Sequence, residues 1–190
     1  MGDRRAGWRV AFLAAGVFAA GRPAVAQSDL PFGAPSSDAS QALVSLGYLI
    51  GEWHVISYAR DDSGQFVESP DTTSYRAEYL YDGLGILAEF YGPSRDGFYG
   101  VHVITHDPSR GLVHTYFNAR ANRRIDFEGA FGDEGYNLTR PGGYGGGDFL
   151  YRETDSEIET DSFVKRVFQS LDEGARWTEG DYYFRFERVR

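Results

Sequence analysis

The sequence predicts an all-β protein: a single closed, antiparallel up-and-down barrel of about eight to ten strands, preceded by one short helix. Three observations lead there. Gly51-Glu52-Trp53 opens a series of short β-type runs that continues to Arg190. These runs alternate apolar and polar residues, so each buries one face. No second helical stretch interrupts them, which excludes a βαβ architecture. A meander of this kind carries unpaired edges, and closure is the most complete way to remove them. A small closed barrel has an interior that can hold one small ligand.

Residues 1–26 form an expected export signal. Asp3-Arg4-Arg5 and Arg9 make a charged start, residues 10–20 are apolar, and Ala24-Val25-Ala26 supplies a small-x-small cleavage site. The apolar run is too short to span a bilayer. Cleavage near Ala26 leaves 164 of the 190 residues, one domain's worth, destined for the periplasm or the medium. Four of the 19 basic and one of the 28 acidic residues leave with the signal, so the net charge falls from −9 to about −12. An acidic chain with no basic patch is a poor partner for nucleic acid or anionic lipid. Cysteine is absent, so the core holds without disulfides. No membrane span is expected, and the oligomeric state stays open.

Residues 27–40 are a flexible leader rich in Pro, Gly and Ser. Asp38, with Gln41 three residues on, suggests a capping box. Leu43, Leu46, Leu49 and Ile50 then give one short helix, and the barrel domain spans 41–190. Strands are expected at 53–60, 73–81, 86–91, 98–106, 112–118, 123–131, 136–140, 149–154, 163–171 and 182–189. Asp61-Asp62-Ser63-Gly64 and Asp107-Pro108-Ser109-Arg110-Gly111 are turn signals. The inward faces collect aromatics: Tyr75, Tyr79 and Tyr81 oppose Arg76 and Glu78, while Ile125, Phe127 and Phe131 oppose Arg124, Asp126 and Glu128.

A short Leu-rich segment, Gly51-Glu52-Trp53 and about nine further strands resemble the calycin superfamily, whose best-known members are the lipocalins. More closely, the chain resembles uncharacterised bacterial lipocalin-like barrels. Their mid-chain hairpin corresponds to His106-Asp107-Pro108-Ser109-Arg110-Gly111. Their late turn corresponds to Ser170-Leu171-Asp172-Glu173-Gly174-Ala175-Arg176-Trp177. The resemblance implies that Trp53 plugs the barrel floor beneath an arginine, for which Arg185, Arg188 and Arg190 are candidates by cation–π contact. The large C-terminal helix of secreted lipocalins has no counterpart, so hormone or odorant transport is not implied.

Four histidines lie at 54, 102, 106 and 114. Pairing of Asp107 with Leu112 puts His114 on the face opposite His102 and His106, whereas pairing of His106 with Leu112 puts all three on one face. His102 and His106 stand about 13 Å apart along a strand, too far to share a metal. No H-x-H or HExxH spacing occurs, and a related haem-binding barrel family uses a histidine near its C-terminus, where this chain has none. Neither a metal nor a cofactor is therefore expected. Asp126 and Glu128 share a face at glycosidase-like spacing, but Arg124 beside them favours a solvated surface. Pro141-Gly142-Gly143-Tyr144-Gly145-Gly146-Gly147 lacks the strand-to-helix setting and the lysine of a phosphate loop, and reads as a loop at the barrel mouth.

Three functions fit. The first is an exported barrel binding a small apolar or amphipathic molecule, with Tyr75, Tyr79, Phe90, Tyr99, His102, His114 and Tyr116 as candidate ligand-binding residues. The second is an enzyme of isomerase or cyclase type acting on an enclosed ligand, polarised by His102, His114, Glu89 or Arg76; its catalytic residues are not otherwise legible. The third is a barrel filled by its own side chains that acts through its surface. A cavity would separate the first two from the third. A buried charge facing that cavity would separate the second from the first.

Overall fold

The computed structural model describes Gly33, Pro35 and residues 37–92, 98–119, 122–132, 135–143 and 146–190. The expected export signal and most of the leader lie outside the described residues. The rest is an all-β closed barrel of ten antiparallel strands in up-and-down order. In chain order they are β1 (Gly51–Arg60), β2 (Phe66–Leu80), β3 (Gly85–Tyr91), β4 (Phe98–Asp107) and β5 (Gly111–Asn118). They continue as β6 (Arg123–Gly132), β7 (Gly135–Pro141), β8 (Leu150–Ser156), β9 (Ser162–Ser170) and β10 (Thr178–Arg188). Each strand pairs with its sequence neighbours, and β10 returns to β1 through seven residue pairs from Trp53↔Arg188 to Ala59↔Tyr182. Among the described residues no helix is long and apolar enough to cross a membrane.

Strand boundaries agree with the alternation except at β2 and β10, which start earlier than expected. Pro70 was expected to precede β2, yet it lies inside it. The pairing with β1 jumps from Ile56↔Thr72 to Tyr58↔Glu68, so Pro70 falls within a bulge. There its missing N–H interrupts no ladder. A second register shift, between Glu179 and Tyr183, similarly lengthens β10 at its start.

One helix, α1 (Gln41–Ser45), continues through a 3₁₀ turn at Gly47–Leu49 and lies against β4 and β5. The cap differs from the capping-box expectation at Asp38. Ser40 is the N-cap, and its Oγ accepts from the Leu43 N–H at 3.2 Å. Ser40 stands three residues before Leu43, the spacing a side-chain cap requires. Leu43, Leu46 and Leu49 are buried by this segment and close one end of the barrel.

Trp53 sits in that floor, fully buried, with its indole N–H donating to the Leu49 carbonyl at 2.8 Å. Phe163 meets it edge-on at 5.1 Å and stacks on Phe186 at 4.2 Å. Of the three arginine candidates, Arg188 covers the tryptophan, with its guanidinium 4.1 Å from the ring centroid. It also donates to the carbonyls of Ile50 at 2.8 Å and Thr160 at 3.0 Å, so one side chain ties together the floor segment, β10 and the β8–β9 turn. Gly51 is the companion requirement. Its φ of +131° suits glycine alone, and a Cβ there would stand 2.4 Å from the guanidinium.

Removing either partner of this lock should be costly. Gly51→Ala and Arg188→Ala are each expected to lower stability by about 2–4 kcal/mol in urea denaturation. Because both act on the same contact, the double variant should lose clearly less than the sum of the two. Full additivity would show that Gly51 does not serve the arginine.

Candidate functional site

Above the floor the barrel is hollow. A cavity of about 390 Å³ lies between Phe163 and Phe186 below and Tyr99, Asn118 and Tyr182 toward the opposite end. That end carries the β1–β2, β3–β4, β5–β6, β7–β8 and β9–β10 connections, so it is the mouth. The glycine-rich loop after β7 joins this end, as expected, although Tyr144 and Gly145 lie outside the described residues. The Ser170–Trp177 turn is there as well, built by Ser170 and Asp172: the Gly174 N–H donates to Ser170 Oγ at 2.9 Å and the Arg176 N–H to Asp172 Oδ1 at 2.9 Å.

Part of the space exists because of Gly100. The ring of Tyr116 leans across β4 at that residue, and an added Cβ would lie 2.5 Å from it and 2.3 Å from the Phe117 carbonyl oxygen. A glycine on one strand thus lets a tyrosine on the next lie flat against the wall rather than fill the centre.

Of the residues singled out from sequence, Tyr75, Phe90, Tyr99, His102, His114 and Tyr116 line the cavity. Tyr79 does not. It lies nearer the floor, with its hydroxyl 3.1 Å from where a Cβ on Gly47 would be. Glu89 and Arg76 oppose each other between the inward pairs Tyr75↔Phe90 and Ala77↔Ala88, and so face outward, away from any enclosed ligand. Asp126 and Glu128 are also external: Asp126 accepts from Thr115 and Arg124, and Glu128 from Arg110. Neither pair is part of the interior chemistry.

Register settles the histidines. His106 pairs with Leu112 and Ile104 with His114, so His102, His106 and His114 share a face. His106 and His54 are exposed, whereas His102 and His114 are buried and become diagonal neighbours across β4 and β5. His102 Nδ1 and His114 Nε2 are in hydrogen-bonding contact. His102 also stacks on Tyr116 at 4.3 Å. Burial, the neighbouring His114 and then Lys165 hold His102 well below the ordinary value; burial and Lys165 bring His114 down to about 3. Both rings are therefore neutral at pH 7, and one donates to the other. Whichever way that bond runs, His114 Nδ1 is left buried with no hydrogen-bond partner, and so is the Tyr136 hydroxyl, also on the cavity wall. Buried polar atoms without partners each cost about 1–3 kcal/mol, so both favour occupancy by a ligand or water.

Opposite the histidines lies a cluster that the motif search did not find: Glu153 and Asp155 on β8, both buried, and Lys165 on β9, with 13% of its side chain exposed, all lining the cavity. Lys165 Nζ stands 2.6 Å from Asp155 and 3.6 Å from Glu153. The Tyr48 hydroxyl, from the 3₁₀ turn, donates to Asp155 Oδ2 at 2.7 Å. Tyr151 donates to Glu153 at 3.0 Å, and its oxygen is 3.1 Å from the Tyr182 hydroxyl. Burial opposes charge on Lys165, but the two carboxylates outweigh it and raise its pKa. Burial raises Asp155, with Lys165 and Tyr48 pulling it back. The cluster is thus an ammonium between two carboxylates, each of which also accepts a hydrogen bond from a tyrosine. One signal for it was present in the sequence. Lys165 is the single lysine among the 19 basic residues, and it falls on the inward face between Phe163 and Val167.

Among the described residues no group of three or more His, Asp or Glu side chains is arranged to hold a metal ion. The polar interior instead offers a hydrogen-bonding histidine pair on one wall and a charged acid–base cluster on the other.

No family model matches the chain, and no curated protein matches it. Solved structures that it resembles include an S-type phycobiliprotein lyase, CPES, from Guillardia theta. The likeness has a TM-score of 0.42 and 10% sequence identity, and covers 75% of this chain and 89% of that one. It carries no argument about function, which rests here on the cavity itself.

The neutral histidines predict an acid-sensitive fold. As pH falls below 6.5 the unfolded chain takes up a proton at His114 that the folded chain refuses until about 3. Stability should therefore drop across that window, by up to about 1.4 kcal/mol per pH unit from this residue. In His114→Leu the loss between about pH 7 and pH 4.5 should be visibly smaller, as read from urea midpoints. An identical loss in parent and variant would place the acid sensitivity elsewhere.

Proposed function

We propose that the protein is an exported barrel that binds a small, mostly apolar molecule carrying a polar end. The observation that supports this is the cavity of about 390 Å³, walled by Val55, Phe90, Phe163, Phe184 and Phe186, with a histidine pair and a Glu153–Asp155–Lys165 cluster among the polar groups that line it. Its volume falls in the range of small-molecule sites, and apolar walls with a few placed polar groups are their usual composition. An open interior also argues against a barrel filled by its own side chains. Export rests on the three-part pattern of residues 1–26.

A second reading, an enzyme of isomerase or cyclase type, is favoured by one specific observation. Glu153, Asp155 and Lys165 are ionisable groups facing the cavity with little water around them, the setting in which proton transfer to an enclosed molecule is effective. Chemical change of the bound molecule in the parent but not in Glu153→Gln would establish it; release of the molecule unaltered from both would rule it out.

Native mass spectrometry of the protein purified from its own host, followed by extraction, tests the binding reading. One stoichiometric small molecule is expected. Ser57 lines the cavity with a small side chain, so Ser57→Trp should fill the space and weaken binding of an apolar fluorescent probe by about ten-fold or more while preserving the β-sheet spectrum. An empty protein that also refuses lipids and aromatic probes would overturn the proposal.

A further inference from the structure

The chain has 18 arginines and one lysine. Arginine serves every other ion pair to a carboxylate among the described residues, including Arg60–Glu179, Arg166–Glu157 and Arg190–Asp161. Only in the cavity wall does a primary amine replace it, at Lys165. For a purely structural pair the guanidinium is the better partner, since it forks onto two carboxylates and stays charged. An amine can do what a guanidinium does not: it condenses with a carbonyl.

We propose that Lys165 forms a covalent imine with an apolar aldehyde or ketone held in the cavity. This rests on the binding reading, because the carbonyl compound must first enter the barrel. The step balances without an oxidant or reductant. The Asp155 carboxylate, 2.6 Å away, takes one ammonium proton and frees the lone pair of Nζ. The amine attacks the carbonyl carbon, and a proton moves from nitrogen to oxygen to give the carbinolamine. Asp155 returns its proton to the hydroxyl, which leaves as water as the C=N bond forms. The product is a protonated imine with the same single positive charge as the ammonium it replaces.

Three features of the site suit that product. Charge is conserved, so Asp155 and Glu153 keep a cationic partner and no buried carboxylate is left unpaired. Tyr48 and Tyr151 hold the two carboxylates in place throughout. The apolar rings of Phe163, Phe184 and Phe186 border the same space and limit water, which would otherwise return the imine to amine and carbonyl. The carboxylates also favour the ammonium over the free amine. That slows attack but does not oppose the final state, so the adduct should form slowly and persist.

The chain's composition makes the test clean, because Lys165 and the N-terminal amine are the only primary amines available. The mature protein is incubated with decanal and sodium cyanoborohydride, digested, and mapped by mass spectrometry, with decanol as the non-condensing control. A single decyl addition is expected on the Lys165 peptide, at about ten-fold or more over the N-terminal amine. It should be absent in Lys165→Arg, which keeps the positive charge, and reduced in Ser57→Trp. Displacement of an apolar fluorescent probe by decanal and decanol is followed in parallel. Displacement by both without an adduct at Lys165 would overturn the imine while leaving the binding reading intact. No displacement by either would remove both for this ligand class. Addition confined to the N-terminus would also overturn the inference.

Discussion

Closure of β10 onto β1 is the constraint on which the rest of the structure depends. It removes the two sheet edges, and it turns one face of every strand into a shared interior. Closure also creates two open ends, and the molecule treats them differently. One is stopped by the short helical segment, Trp53 and the Arg188 side chain over it. Among the described residues, the other end carries strand connections and no such stop. The asymmetry makes the interior a pocket with a floor and a mouth rather than a channel.

The arginine at the floor shows how few residues such a stop requires. Its guanidinium covers an indole face and donates to the carbonyls of Ile50, just after the helical turn, and Thr160, in the β8–β9 turn. A cation so placed is anchored both by ring electrostatics and by hydrogen bonds to dipoles. Gly51 yields the space. The interaction draws β1, β10, the helical segment and the β8–β9 turn to one point, far apart in sequence.

Burying charge is a more expensive choice, and the cavity makes it with Glu153, Asp155 and Lys165. Apolar residues of similar volume would stabilise a barrel wall at least as well, whereas removing one partner of such a cluster typically costs about 3–5 kcal/mol. A cluster of this kind is therefore hard to explain by stability alone. The same cavity is lined by two neutral histidines, one with an unpartnered nitrogen, so the interior pairs apolar rings with more than one set of buried polar groups.

How much of this the sequence disclosed differs by level. Alternation along 73–81 and 123–131 misplaced Tyr81 and Phe131: both are exposed, Tyr81 because β2 ends at Leu80 and a 3₁₀ turn begins there, Phe131 at the far end of β6. It found the inward Tyr75, Ile125 and Phe127 because strand periodicity is local. For the same reason six of the seven chosen residues line the cavity, while Tyr79, on the correct face, lies too far down the strand. Height within a barrel depends on tilt and register, which periodicity does not encode. The His102–His114 contact needed the pairing of Ile104 with His114, one of two registers the hairpin allowed. Glu153 and Asp155 escaped notice because inward carboxylates look like a solvated face until a neighbouring strand brings them an ammonium. By itself the sequence determined the class of fold and the inward face of most aromatic positions, both consequences of local steric and hydrophobic pattern, while the Trp53 floor was implied by the family resemblance. The tertiary structure alone decided which arginine covers Trp53, whether the interior is hollow, and which charges meet inside it. Those depend on distances between residues that only the closed sheet brings together.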